Sequence, residues 1–244
     1  MIHLPKSQPA PSSLALKQSY REVDVLERLQ KDFKNKCYIC EENEITTLNV
    51  EHFIPHRNNI DLKFDWNNLF FACGHCNNTK LAKSDYDNIL NCTNPKDDPE
   101  NLIEYEMKPF PKEKVNLKSV QGFESDKRVV NTIKLLDSIY NGTTSLKMIE
   151  SSNLRNKLLR EIMDFQKYLL EYYQDITDED RDICQKKIQT HLKSNSAFTA
   201  FKRWKRRNGF NELGFREARL QEIRWRVESF IGRNSYHQKM LCLK

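Results

Sequence analysis

The sequence predicts an α+β protein: a small module of two strands and one helix attached to a mainly α-helical body. Two observations carry that expectation. Four of the 7 cysteines stand in two tight pairs, Cys37-Tyr38-Ile39-Cys40 and Cys73-Gly74-His75-Cys76, which enclose Val50-Glu51-His52-Phe53-Ile54-Pro55-His56. Beyond Ser125 the chain runs in long stretches with apolar residues at helical spacing. Two CxxC pairs close one tetrahedral zinc site, because each pair supplies two corners and the intervening loop brings the pairs together. Cys37, Cys40, Cys73 and Cys76 are therefore candidate ligands of a structural Zn²⁺, which holds rigid a segment too small for a core of its own.

Residues 1–19 read as an extended arm. Tyr20 to Phe33 is expected to be a helix, with Val23, Val25, Leu26, Leu29 and Phe33 near helical spacing. Leu48 to Phe53 alternates as a strand, and Asn67 to Ala72 opens either the second strand or the turn before the helix. Cys76 to Lys83 is the module's expected helix; a start at Asn77 places that side chain at the positive helix end. Residues 84–121 are polar and punctuated by proline, with a turn cluster at Asn94 to Pro99 and a candidate hairpin from Leu102–Met107 and Val115–Val120. Helices follow at Ser125–Tyr140, Asn153–Tyr173, Asp178–Lys193 and Phe198–Arg206, the third with Thr177 as N-cap before three acids. Gly209 and Gly214 interrupt the pattern before a last candidate helix, Phe215 to Phe230. The expected organisation is residues 1–36 as arm and helix, 37–92 as the zinc-clamped module, and 93–244 as a helical body with a basic C-terminal region.

Composition narrows the class. The chain has 244 residues and no internal repeat, and no apolar run approaches the roughly 20 residues that span a bilayer. Met1 to Leu16 holds no long apolar stretch, so no secretory signal and no membrane association are expected. Once four cysteines are assigned to the metal, Cys92, Cys184 and Cys242 remain, an odd set without regular spacing. That remainder points to a reducing cytoplasm. Two disulfides are a poor alternative, since a bridge within CxxC is typically redox-active. The net charge of +6 conceals an asymmetry: Lys193 to Lys244 holds thirteen Lys and Arg against four acids, leaving the rest slightly acidic. Basic density beside a hydrolytic module suits a polyanionic substrate. Phe198, Phe201 and Trp204 fall on one helix face and read as core. The Lys202, Arg203, Lys205, Arg206 and Arg207 rim around them suits nucleic acid or an acidic partner equally.

Cys37, Cys40, Glu51, His52, Pro55, Asn68, Leu69, Cys73, Cys76, Asn77 and Lys80, in that order, resemble the zinc-clamped HNH nucleases, the His-Me finger or ββα-metal family. Two positions depart from the usual pattern: Glu51 stands where Asp is more common, and Asn77 where a second His is usual. Asn occurs there in active members. The resemblance implies a ββα-metal fold and phosphodiester hydrolysis. A second resemblance spans about residues 1–207. The arm Met1-Ile2-x-Leu4-x-Lys6, then Glu51-His52-Phe53-x-Pro55, Thr132-Ile133-Lys134-Leu135-Leu136 and Asn153-Leu154-Arg155 are similar to the PtuB family. Those proteins are HNH effectors of Septu and certain retron anti-phage systems. This implies a PtuA-type ATPase partner and, in the retron form, a reverse transcriptase with its RNA–DNA product.

Within that frame His52 is the expected general base, since an imidazole with a pKa of about 6.5 removes a proton from water near neutral pH. Glu51 and Asn77 are expected to share one Mg²⁺ or similar hard cation through oxygen atoms. Asn68, preferred over Asn67 because Leu69 follows it, is expected to pin the loop that aims His52. His56, Arg57 and Lys80 are candidate phosphate contacts; surface charge is the competing reading, nearly as strong for Arg57. His75, inside the second knuckle, is read as solvent-exposed and as a reserve metal ligand. DNA is the first expected substrate, because the attacking group is water rather than a 2′-hydroxyl. RNA such as tRNA is the alternative within the nuclease class. A silent zinc module that binds nucleic acid or a partner is the alternative outside it.

Overall fold

The computed structural model describes residues 1–212 apart from 46, 82, 83 and 143. The chain divides into two compact units, Met1–Trp204 and Lys205–Lys244. The expected helix at Phe215–Phe230 lies outside the described residues. No helix among those residues is long and apolar enough to cross a membrane.

Helix α1 (Val23–Asp32) turns Val25 and Leu29 inward, with Phe33 buried just after it. Strands β1 (Leu48–His52) and β2 (Leu69–Cys73) pair antiparallel from Leu48↔Cys73 to His52↔Leu69. Between them lies the short helix α2 (Ile60–Phe64), capped by the Asn59 side chain. Helix α3 (Gly74–Lys80) leaves β2 without a loop and completes the ββα unit. It starts earlier than the expected Asn77, because Cys73 sits at the N-cap and its sulfur accepts the Cys76 N–H at 3.4 Å. Asn77 therefore lies inside the helix rather than at its positive end.

A short helix α4 (Pro99–Leu102) leads into the hairpin of β3 (Ile103–Met107) and β4 (Val115–Ser119), in register from Ile103↔Ser119 to Met107↔Val115. The body follows as α5 (Lys127–Asn141), α6 (Ser145–Tyr172), α7 (Asp178–Leu192) and α8 (Thr199–Glu212). Helix α6 begins well before the expected Asn153. Thr144 caps it at the Lys147 N–H, and its first turns carry exposed Leu146, Met148 and Ile149, so no buried stripe marks that start in the sequence. The turn before it requires Gly142, whose φ is +70° and where a Cβ would stand 2.9 Å from the Met148 backbone. Thr177 caps α7 at the Asp180 N–H, as its sequence signature leads one to expect.

The N-terminal arm is buried rather than loosely extended. Met1, Ile2 and Leu4 join the core, and the Leu4 N–H donates to the Cys92 carbonyl at 2.8 Å. Lys6 reaches under β2, over the Trp66 ring at 3.7 Å, and donates to the carbonyls of Leu69 (2.5 Å) and Trp66. Phe198 and Phe201 are core, as their spacing suggests. Two of the five cations of the expected rim, Lys202 and Arg203, are engaged within the fold. The buried Lys202 ammonium donates to Glu161 (2.7 Å) and Ser196 (2.7 Å), and Arg203 donates from Nη1 to both carboxylate oxygens of Glu100 at 3.0 and 2.8 Å. Both charges close the α4–α6–α8 junction instead of facing a partner.

Candidate active site and zinc clamp

The sulfurs of Cys37, Cys40, Cys73 and Cys76 lie within 4.8 Å of one another, with Cys40 and Cys73 at 3.9 Å. A tetrahedron with Zn–S bonds of about 2.3 Å needs sulfurs roughly 3.8 Å apart, so the donor set and spacing fit zinc. The first knuckle is tied to the sheet by the Tyr38 N–H, which donates to the Phe71 carbonyl at 3.0 Å. Hydrogen bonds from Cys37, Cys40 and Cys76 hold the Cys73 thiol well below its ordinary pKa, while burial pushes Cys40 and Cys76 up. Among the described residues this is the one group of metal-binding side chains so gathered.

His52 ends β1, half-buried. Its Nε2 lies 3.0 Å from the Lys63 carbonyl. A carbonyl only accepts, so Nε2 carries the proton and Nδ1 keeps its lone pair in the neutral ring. Burial lowers the pKa below its usual 6.5; the Lys63 carbonyl opposes this, and the charges of His56, Lys63 and Arg21 add to the lowering. The result is a neutral imidazole with one free acceptor atom.

Asn68 pins the loop that follows. Its Oδ1 accepts the Ile54 N–H at 2.7 Å, and its Nδ2 donates to the carbonyls of Ile54 (2.9 Å) and Leu62 (3.0 Å). Three bonds from one buried amide thereby hold both ends of the segment between His52 and the Lys63 carbonyl that orients it.

Glu51 points the other way from β1 and is 4 % exposed. Its Oε1 accepts from the Lys80 ammonium at 3.0 Å and from the Tyr38 hydroxyl at 3.1 Å. Its Oε2 is buried and has no hydrogen-bond partner. Burial raises the carboxyl pKa to about 7, against the opposing pull of Lys80. Asn77 is half-buried, and its side-chain amide makes no hydrogen bond among the described residues. An orphaned carboxylate oxygen and a disengaged amide are donors that suit a hard cation.

Lys80 differs from the expected phosphate contact. It is 2 % exposed, and its ammonium also donates to the Phe53 carbonyl at 2.8 Å. The helix turn that follows the second knuckle swings this side chain inward under β1, where Glu51 claims it. His75 is likewise not at the surface. Its ring bridges Glu150 (Nδ1, 2.8 Å) and the Ile139 carbonyl (Nε2, 2.9 Å), clamping α3 to α5 and α6. His56 accepts the Asn58 N–H at Nδ1 (3.2 Å), and exposed Arg57 pairs with Asp87 at 3.0 Å.

Three participants have no signal in the sequence. Tyr38 supports Glu51, the Lys63 carbonyl sets the His52 tautomer, and Tyr20 lies edge-on against the His52 ring with centroids 4.7 Å apart. Each is brought in by tertiary contact, and neither spacing nor residue type marks it. No curated protein matches the chain. Residues 37–83, which hold both knuckles, the β1–β2 hairpin and α3, match the family model described as HNH endonuclease, and this stretch is the chain's HNH endonuclease domain.

Proposed function

We propose that this protein is a metal-dependent endonuclease that hydrolyses phosphodiester bonds in nucleic acid, with DNA as its first substrate. The observation that carries the reading is the His52 imidazole: its Nε2–H is committed to the Lys63 carbonyl, and Nδ1 is left as an unprotonated acceptor. In the proposed reaction Nδ1 takes a proton from a water molecule as that water's oxygen bonds to phosphorus. The bond from phosphorus to the 3′ oxygen breaks, and the 3′ oxygen leaves. Glu51 and Asn77 are the residues that would hold Mg²⁺ or a similar cation, whose chemistry when bound is to stabilise charge on that leaving oxygen. A silent binding module has no use for a histidine with its tautomer so arranged.

The PtuB-like motifs support a finer reading. The protein then acts as the effector of an antiviral (anti-phage) defence system, Septu or retron, with a PtuA-type ATPase and in the retron form with the reverse transcriptase and its product. Because Arg203 and Lys202 are engaged internally, they are not the contacts through which an ATPase would be held.

The test is cleavage of plasmid DNA and of tRNA by the full chain in Mg²⁺, beside His52→Ala. Cleavage of DNA by the wild type, lost in a folded, zinc-loaded His52→Ala protein, is the expected result. Cleavage of tRNA alone would move the substrate to RNA, and undiminished cleavage by His52→Ala would overturn the mechanism.

A further inference from the structure

The matched domain begins at residue 37, yet it does not enclose His52 by itself. The segment before α1 lies against the base. Tyr20 meets the His52 ring edge-on at 4.7 Å and 76°, and meets Phe64 of α2 at 6.4 Å. The segment is tied down on both sides of Tyr20. Lys17 pairs with Asp61 at 2.8 Å, and the Ser13 hydroxyl and N–H both donate to Asp24, at 2.5 and 3.1 Å.

Tyr20 is only half-buried, and its phenol makes no hydrogen bond among the described residues. Arg21, exposed, holds its guanidinium 5.3 Å from the Tyr20 centroid. Tyr20 packs against α2, whose last turn carries Lys63, so a second basic side chain stands on the element it meets. An exposed guanidinium beside the ring that touches the candidate base is placed to meet a polyanion.

We propose that Tyr20 and Arg21 complete the active site from outside the endonuclease domain. Tyr20 is a positioning residue that fixes the rotation of the His52 ring, and Arg21 binds a phosphate next to the scissile one. This rests on the nuclease reading above and extends it to the residues that hold the strand.

The experiment compares full-length Tyr20→Ala, Tyr20→Phe and Arg21→Ala. Three quantities are read: kcat and KM for cleavage, the NMR shifts of the His52 ring protons at one fixed pH, and the salt dependence of nucleic-acid binding in a His52→Ala background. Tyr20→Ala is expected to lower kcat by about 10-fold or more, since a small misplacement of a catalytic group is costly, with KM little changed. Its His52 ring-proton shifts should move as the edge contact is lost, and Tyr20→Phe, which keeps that contact, should recover both. Arg21→Ala is expected to raise Kd for all sequences and to flatten the salt slope by about 0.7–0.9. An unmoved kcat and unmoved His52 ring shifts in Tyr20→Ala, or an unmoved salt slope in Arg21→Ala, would overturn the corresponding half. Wild-type protein that cleaves no nucleic acid would refute the nuclease reading, while the His52 ring shifts and the salt slope still decide this one.

Discussion

Replacing Lys80 by methionine isolates the energetics of the buried Glu51–Lys80 pair. In the wild type, burial sets the Glu51 pKa at about 7, above the 4.5 of an unburied glutamate. The unfolded chain therefore releases its proton first, and stability is full below about pH 4.5, declines as pH rises, and levels off above about 7. Methionine removes the ammonium that lies 3.0 Å from the carboxylate and leaves only the Tyr38 hydroxyl. The folded-state pKa then climbs toward the ~9 reached by buried carboxyls, so the variant goes on losing about 1.4 kcal/mol per pH unit where the wild type has levelled. Between pH 7 and 8.5 the stability gap should widen by about 1.5 kcal/mol. For a chain of this length that is a growth of roughly 3–6 °C in the Tm difference. Thermal melts of both proteins, zinc-loaded and free of Mg²⁺, across that pH range provide the assay. A gap that stays constant or narrows would show that Glu51 is not held in the folded state by Lys80.

Other outcomes follow from the same geometry. The neutral His52 ring should carry its proton on Nε2, read from the imidazole nitrogen NMR shifts, because Nε2 faces the Lys63 carbonyl; a proton found on Nδ1 would contradict the tautomer assignment. Cys37→Ser or Cys73→Ser should unfold the domain rather than slow it, since structural zinc contributes on the order of 10 kcal/mol in small modules. Metal analysis should find one zinc per chain, and folded, active protein without zinc would dismiss the clamp. Arg203→Glu should destabilise the fold by about 2 kcal/mol through loss of the Glu100 ion pair. A variant with unchanged Tm would show the pair to be unimportant.

Several features were legible because they are local. The CxxC spacing is itself the geometry of two tetrahedral corners, and the sulfurs do meet. Helices α5 and α7 and the β3–β4 hairpin follow from apolar period, caps and turn residues within a few positions of each other. The start of α6 was hidden for the complementary reason: its first turns bury little, so periodicity has nothing to report there.

The amino-acid sequence by itself determined the module, the four cysteines that meet in it, and the candidate base with the asparagine placed to support it, since each depends on residue type and short spacing. Only the tertiary structure decided what each charged group faces. Lys80 and Arg203 read as surface cations, yet one is buried under β1 against Glu51 and the other is locked to Glu100. Tyr20 reads as the start of a helix, yet it abuts His52. The reason is physical: a charge or an aromatic ring is inert until something desolvates or neighbours it, and here the neighbour comes from a distant part of the chain that no local pattern can name.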